Sequence, residues 1–163
     1  MSFAEMVQRY ADNAGIAYTE ALKAFPDNPV AHSTRDYYYR VFSVTLNVTA
    51  QYKPHIEFFC TTAEGGSFRD IKSIYSVQLV RTYGSLTKQF SGKLEYWLRS
   101  RNSIEYAING DFLNYGNTSY SGDVGIELGL DELGKITFSF TGQSDPGNLY
   151  KSHYEHKTHT FFP

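Results

Sequence analysis

Cysteine is almost missing from this 163-residue chain. Cys60 is the only one, so no internal disulfide can form and thiolate zinc clusters are excluded. A surplus of charge is missing too. Fifteen basic against 17 acidic side chains leave a formal charge of -2, which gives nucleic acid or anionic lipid no general electrostatic footprint. Long apolar runs are absent, and the first 25 residues have neither a basic start nor an apolar centre, so no bilayer-spanning helix and no secretory signal is readable. The chain is therefore expected in the cytoplasm, or released without a secretory signal. No recognised catalytic, cofactor or metal motif is present. What is abundant is aromatic surface: 14 Tyr, 12 Phe and one Trp in a chain that is 41% apolar and 20% charged, enough for one domain over 1–163 with a substantial core.

Apolar residues recur every three or four positions at Phe3, Val7, Tyr10, Ala14, Tyr18, Ala21, Leu22 and Phe25, which predicts one amphipathic helix over 1–25. Ser2 fits its N-cap, Gly15 is its weak point, and Pro26 ends it. A polar link follows over 26–36. From there the period becomes two, predicting eight antiparallel strands near 37–51, 55–62, 67–83, 86–100, 103–113, 118–130, 135–142 and 149–162. No second helix is available to carry a parallel crossover.

Turn lengths extend this to a topology, because a hairpin must bring apolar faces together. A two-residue turn at Gly84-Ser85 places Leu79 opposite Phe90, and one at Gly65-Gly66 places Cys60 opposite Ile71. Turns at Glu132-Leu133-Gly134 and Tyr115-Gly116-Asn117 pair Leu128 with Phe138 and Ile108 with Val124, and Asp145-Pro146-Gly147 marks the last reversal. Sequential hairpins make a meander. The expectation is an eight-stranded antiparallel barrel, favoured over a two-sheet sandwich because closure removes edges that few lysines protect.

On this reading the inward faces hold Arg40, Arg69, Arg81, Lys88 and His156 but no acid, while Glu57, Glu95, Glu105, Asp123 and Glu127 point outward. Unpaired inward cations are costly unless they reach water or meet an anion. Arg81 and Lys88 fall together at one barrel end with Tyr83, Phe112, Tyr120 and Tyr150, and Tyr154 and His156 belong to a polar wall on the last strand. These eight residues form the expected ligand site, suited to a small amphipathic anion without any cofactor or metal. His153, Glu155 and His159 share a face, but adjacent same-side residues on a strand lie about 7 Å apart, too far for one ion across that span.

Other readings compete with this non-enzymatic binding protein. The tyrosine content and the Ser/Thr-rich outer face suit a self-assembling or protein-interaction module, which predicts a homo-oligomer. A pore-forming protein could use the 1–25 helix against a membrane, although its polar face is not basic. A cofactor-free cyclase or isomerase would have Tyr106, Tyr154 and His156 as its candidate residues. In outline the chain resembles lipocalin-type barrels and helix-plus-sandwich cytolysins, but the lipocalin-type Gly-x-Trp opening is absent, since Trp97 follows Glu95-Tyr96. No family is assigned.

Overall fold

The computed structural model describes residues 1–26, 38–65, 68–122, 125–129 and 134–162. Helix α1 (Phe3–Ala14) starts in a capping box: the Ser2 hydroxyl accepts from the Glu5 amide at 3.1 Å, and the Glu5 carboxylate accepts from the Ser2 amide at 2.9 Å. It stops at Gly15, whose φ of 66° is the left-handed cap that a residue without a Cβ adopts readily. The expected single helix is therefore broken there. A short α2 (Tyr18–Ala21) and a 3-10 turn (Leu22–Ala24) follow, and they return Phe25 onto the rings of Phe3 and Tyr10.

The strands are β1 (Tyr38–Thr45), β2 (His55–Gly65), β3 (Phe68–Val80), β4 (Thr82–Tyr83), β5 (Leu86–Thr87), β6 (Gln89–Ser100), β7 (Ser103–Leu113), β8 (Ser119–Gly122), β9 (Leu128–Gly129), β10 (Ile136–Thr141) and β11 (Leu149–Thr160). They build one sheet in the order β1-β2-β3-β9, a second in the order β11-β7-β6-β10-β8, and the small hairpin β4-β5. The predicted barrel does not form, because none of these sheets closes. The two large sheets instead face each other over a common core, in which Phe58 of β2 meets Tyr96 and Tyr106 of the opposite sheet.

The barrel expectation fails where the chain changes sheet. The turn at Gly84-Ser85 does form, with Tyr83 opposite Leu86 and Thr82 opposite Thr87, but the ladder ends one residue further out on each arm. Arg81 and Lys88 lie outside any strand, so Leu79 continues in the first sheet and Phe90 in the second. A similar division separates the next predicted pair: Leu128 joins Ile74 in the first sheet, and Phe138 sits between Leu94 and Gly122 in the second. Ile108 pairs with Leu94 and Glu155, while its predicted partner Val124 lies outside the described residues, as do Gly66, Glu132 and Leu133. In the β2–β3 hairpin Gly65 faces Phe68 and Thr62, not Cys60, faces Ile71; an irregularity between Thr61 and Thr62 then brings Cys60 opposite Ile74, and a second follows between Cys60 and Phe59. The turn at Asp145 closes as expected, with the Asn148 amide donating to the Asp145 carbonyl at 3.0 Å. The first strand is shorter than predicted, because Leu46–Pro54 form a loop in which Thr49 and Tyr52 exchange backbone bonds.

Strand β2 is covered on both faces. Ile56, Phe58 and Cys60 enter the core between the sheets, whereas Phe59 joins Tyr39 and Tyr75 beneath Met6, Val7, Tyr10 and Ala11 of α1. Burial pushes the Cys60 thiol pKa up, and the residue packs as a small apolar side chain. Glu57 sits under the helix at 2% exposure, gripped by Arg9 at 2.6 and 3.0 Å, by Asn13 at 2.7 Å and by the His55 ring at 3.0 Å. Burial alone would raise its pKa. Hydrogen bonds from His55, Arg9 and Asn13 outweigh that and hold it at about 2.

In the second sheet Gly92 and Gly110 face each other, and the Phe90 ring lies where their side chains would project. A methyl group at either position would run into the facing backbone and that ring, so Gly92→Ala is expected to destabilise by about 1–3 kcal/mol in denaturant titration. For Glu57, a folded pKa depressed from 4.5 to about 2 means its stabilisation is complete above pH 4.5 and lost as pH falls towards 2. Acid unfolding should therefore show a loss of about 3 kcal/mol across that window, and Glu57→Gln should remove this part of the pH dependence while lowering stability at neutral pH.

Candidate functional site

Strand β3 pairs with β9 only through Ser73 and Ile74. Beyond them, among the described residues, this edge has no strand neighbour, and the sandwich opens between β3, the β8–β10 edge of the second sheet and the end of α1. The opening is a cleft of about 610 Å³, within the range of small-molecule sites. Its apolar lining comes from Val77 and Leu79 of β3, Leu94 of β6, and Phe138 and Phe140 of β10, because inward positions on facing sheets converge there. Tyr10, Asn13 and Ala14 of α1 form the remaining wall, with Ile16 at 41% exposure beside them.

Arg81 provides the charge in this cleft. Its position between sheets frees the side chain from strand alternation, and Nη1 donates to the Lys88 carbonyl at 3.0 Å and to Gln89 Oε1 at 2.7 Å. Gln89 Oε1 also accepts from the Thr118 hydroxyl at 2.8 Å, which fixes the amide that fixes the guanidinium. Among the described residues no hydrogen bond occupies Nε or Nη2. No carboxylate pairs with Arg81 among the described residues, and its partial burial lowers its pKa below the ordinary arginine value, as removing an uncompensated cation from water must. Tyr10 and Tyr120 share a hydrogen bond of 3.3 Å across the cleft, and burial followed by this bond pushes the Tyr10 pKa up. Glu20 and Lys23 pair with each other at the rim at 3.0 Å. Among the described residues the lining has no histidine or cysteine. An apolar floor with one oriented cation and a few neutral polar groups can hold an amphipathic anion and order its charged end.

The eight residues expected to form one site separate into four places. Arg81 and Tyr120 line this cleft together. Lys88 turns away from Arg81, placing Nζ 4.4 Å from the centre of the Tyr150 ring and 3.1 Å from Asn114 Oδ1. Tyr150 also meets Tyr52 and Thr49, and Phe112 is fully buried against Tyr52 and Phe90, so these residues close one end of the core. Tyr83 is exposed on the β4-β5 hairpin. Tyr154 and His156 lie on the outer face of the second sheet, where His156 stacks on Trp97 and contacts Glu105 at 2.6 Å.

A single extra residue explains this last displacement. Leu149 pairs with Leu113 but Lys151 pairs with Phe112, so a bulge at Tyr150 inverts every later side chain of β11. His153 and Glu155, not Tyr154 and His156, consequently face Gly110 and Ile108, and Glu155 accepts from the Tyr106 hydroxyl at 2.5 Å. The expected inward set without acids is corrected at a second point as well: Glu64 on β2 takes both Arg40, at 2.6 Å, and Arg69, at 4.0 Å. Among the described residues no cluster of His, Cys, Asp or Glu is placed to hold a metal, and no helix is long and apolar enough to cross a membrane. The cleft residues missed in the sequence are Tyr10, Asn13, Gln78, Thr118, Phe138 and Phe140. Nothing in the local pattern of these residues places the end of α1 beside β3 and β10.

Compared with known proteins, the chain matches no family model, no curated protein and no solved structure.

Proposed function

We propose that the protein binds a small amphipathic anion, a carboxylate on an aliphatic or aromatic body, in the cleft between its two sheets. The observation that carries this reading is Arg81: a partly buried guanidinium, held by Gln89 and the Lys88 carbonyl, with no carboxylate partner and two unbonded nitrogens among the described residues, beside an apolar floor. An uncompensated cation in such surroundings is costly, and a bound carboxylate relieves that cost through charge-assisted hydrogen bonds. Phe138, Phe140, Leu79 and Leu94 would take the apolar body, and the Tyr10–Tyr120 hydroxyl pair supplies polar contacts along its side.

Two rival readings have less support. Self-association through the β11 edge meets Lys151 and Lys157, exposed charged side chains along an edge strand, a feature that discourages strand addition. Membrane attack by the N-terminal helix would have to break the Arg9 and Asn13 contacts to buried Glu57.

Calorimetric titration with decanoate and 3-phenylpropionate tests the reading. Saturable binding is expected, with decanol bound at least tenfold more weakly than decanoate and Arg81→Gln weakened by a similar factor, since a hydrogen bond to a charged group contributes about 1.5–3 kcal/mol. Absence of binding by both acids, or equal affinity for decanoate and decanol in the unaltered protein, would refute it even if Arg81→Gln folds poorly.

A further inference from the structure

A second cavity of about 570 Å³ lies near the first turns of α1, and three arginines line it: Arg9 from the helix, Arg40 from β1 and Arg69 from β3. Two of them are already oriented. Arg9 is held by Glu57 through Nε and Nη2, and Arg40 by Glu64 through Nε at 2.9 Å and Nη2 at 2.6 Å. Among the described residues no hydrogen bond occupies Nη1 of either fork. Arg69 has no such fork, since its Nε stands 4.0 Å from Glu64 and its side chain is 54% exposed. Glu64 is further occupied by the Thr62 hydroxyl at 2.7 Å, and the hydrogen bonds from Arg40 hold its pKa below the ordinary carboxylate range. Three guanidiniums against two carboxylates leave an excess positive charge at this place in a chain whose formal charge is negative. Tyr38, 45% exposed, adds an aromatic face to the same cavity.

We infer that this cavity is a second ligand site, separate from the Arg81 cleft, for a phosphate monoester carried on an aromatic group. Planar guanidiniums match a phosphate's oxygens in a way that ammonium groups do not, and a dianion answers three guanidiniums lining one cavity better than a carboxylate would. Arg9 and Arg40 contribute donors that the protein has already fixed. Arg69 closes on the ligand, and Tyr38 covers the ring. The inference is independent of the Arg81 reading, because no arginine is shared between the cavities.

Phenyl phosphate is the probe, titrated calorimetrically at low ionic strength beside inorganic phosphate. Saturable binding is expected, tighter for phenyl phosphate, with Arg69→Ala and Tyr38→Ala each weakening it about tenfold or more and Arg81→Gln leaving it unchanged. Both altered side chains are half-exposed and hold no bidentate contact, so the variants should keep the parent's circular dichroism and melting temperature. The inference is overturned if phenyl phosphate fails to bind at about 10 mM. It is overturned equally if Arg69→Ala and Tyr38→Ala bind like the parent, if inorganic phosphate binds as tightly, or if the loss follows Arg81.

Discussion

Strand β2 must be buried on both of its faces, and the rest of the arrangement depends on that. Ile56, Phe58 and Cys60 require a second sheet above them, while Phe59, next in line on the other face, requires the helix below. Layering the strands as two sheets with α1 on the outer face of the first buries both sets, one between the sheets and Phe59, Tyr39 and Tyr75 beneath the helix. Glu57 comes with that solution. It occupies the helix-facing side with Phe59, where Arg9, Asn13 and His55 make its charge tolerable and orient α1 on the sheet.

Opening the sandwich follows from the same layering. A hairpin that would have joined β3 to β6 within one sheet must cross from one layer to the other, and it does so at Arg81 and Lys88, the residues flanking the short β4-β5 ladder. Leaving the ladder frees both side chains from alternation. Lys88 swings onto Tyr150 and seals one end of the core, and Arg81 is drawn by Gln89 towards the open edge. The charge in the cleft is thus a by-product of the place where the sheets part, which is why a cation without a carboxylate stands beside Leu79 and Phe140.

Much of this was legible in the residues themselves. Ser2 marked the start of α1 and the bounds of β7 followed from alternation, whereas Gly15, expected only as a weak point in a helix running to 25, ends α1, and the strand expected from 86 is split at Lys88 into β5 and β6. Arg81 and Tyr120, expected at one barrel end, line one cleft. Closure of the sheet was not legible from local turn lengths, since the turn at Gly84-Ser85 has the same two-residue form whether its arms stay in one sheet or diverge. The consecutive apolar residues Phe58, Phe59 and Cys60 were the sign that a one-sided strand would not suffice. Nor was the bulge at Tyr150 readable, and one residue there exchanged the roles of Tyr154 and His156 with those of His153 and Glu155. Arg40 appeared unpaired because Glu64, beyond the expected end of β2, had not been counted as part of the strand.

The central claim is that the gap between the sheets, not their outer surfaces, receives the ligand. Amide and methyl chemical-shift mapping with decanoate examines it most directly. Saturable shifts are expected, confined to Val77–Val80 of β3 and the following Arg81, to Thr118–Tyr120 and to Phe138 and Phe140, with the Arg81 side-chain resonances moving furthest. Shifts centred on Trp97, Tyr154 and His156, or none in the presence of excess decanoate, would contradict it.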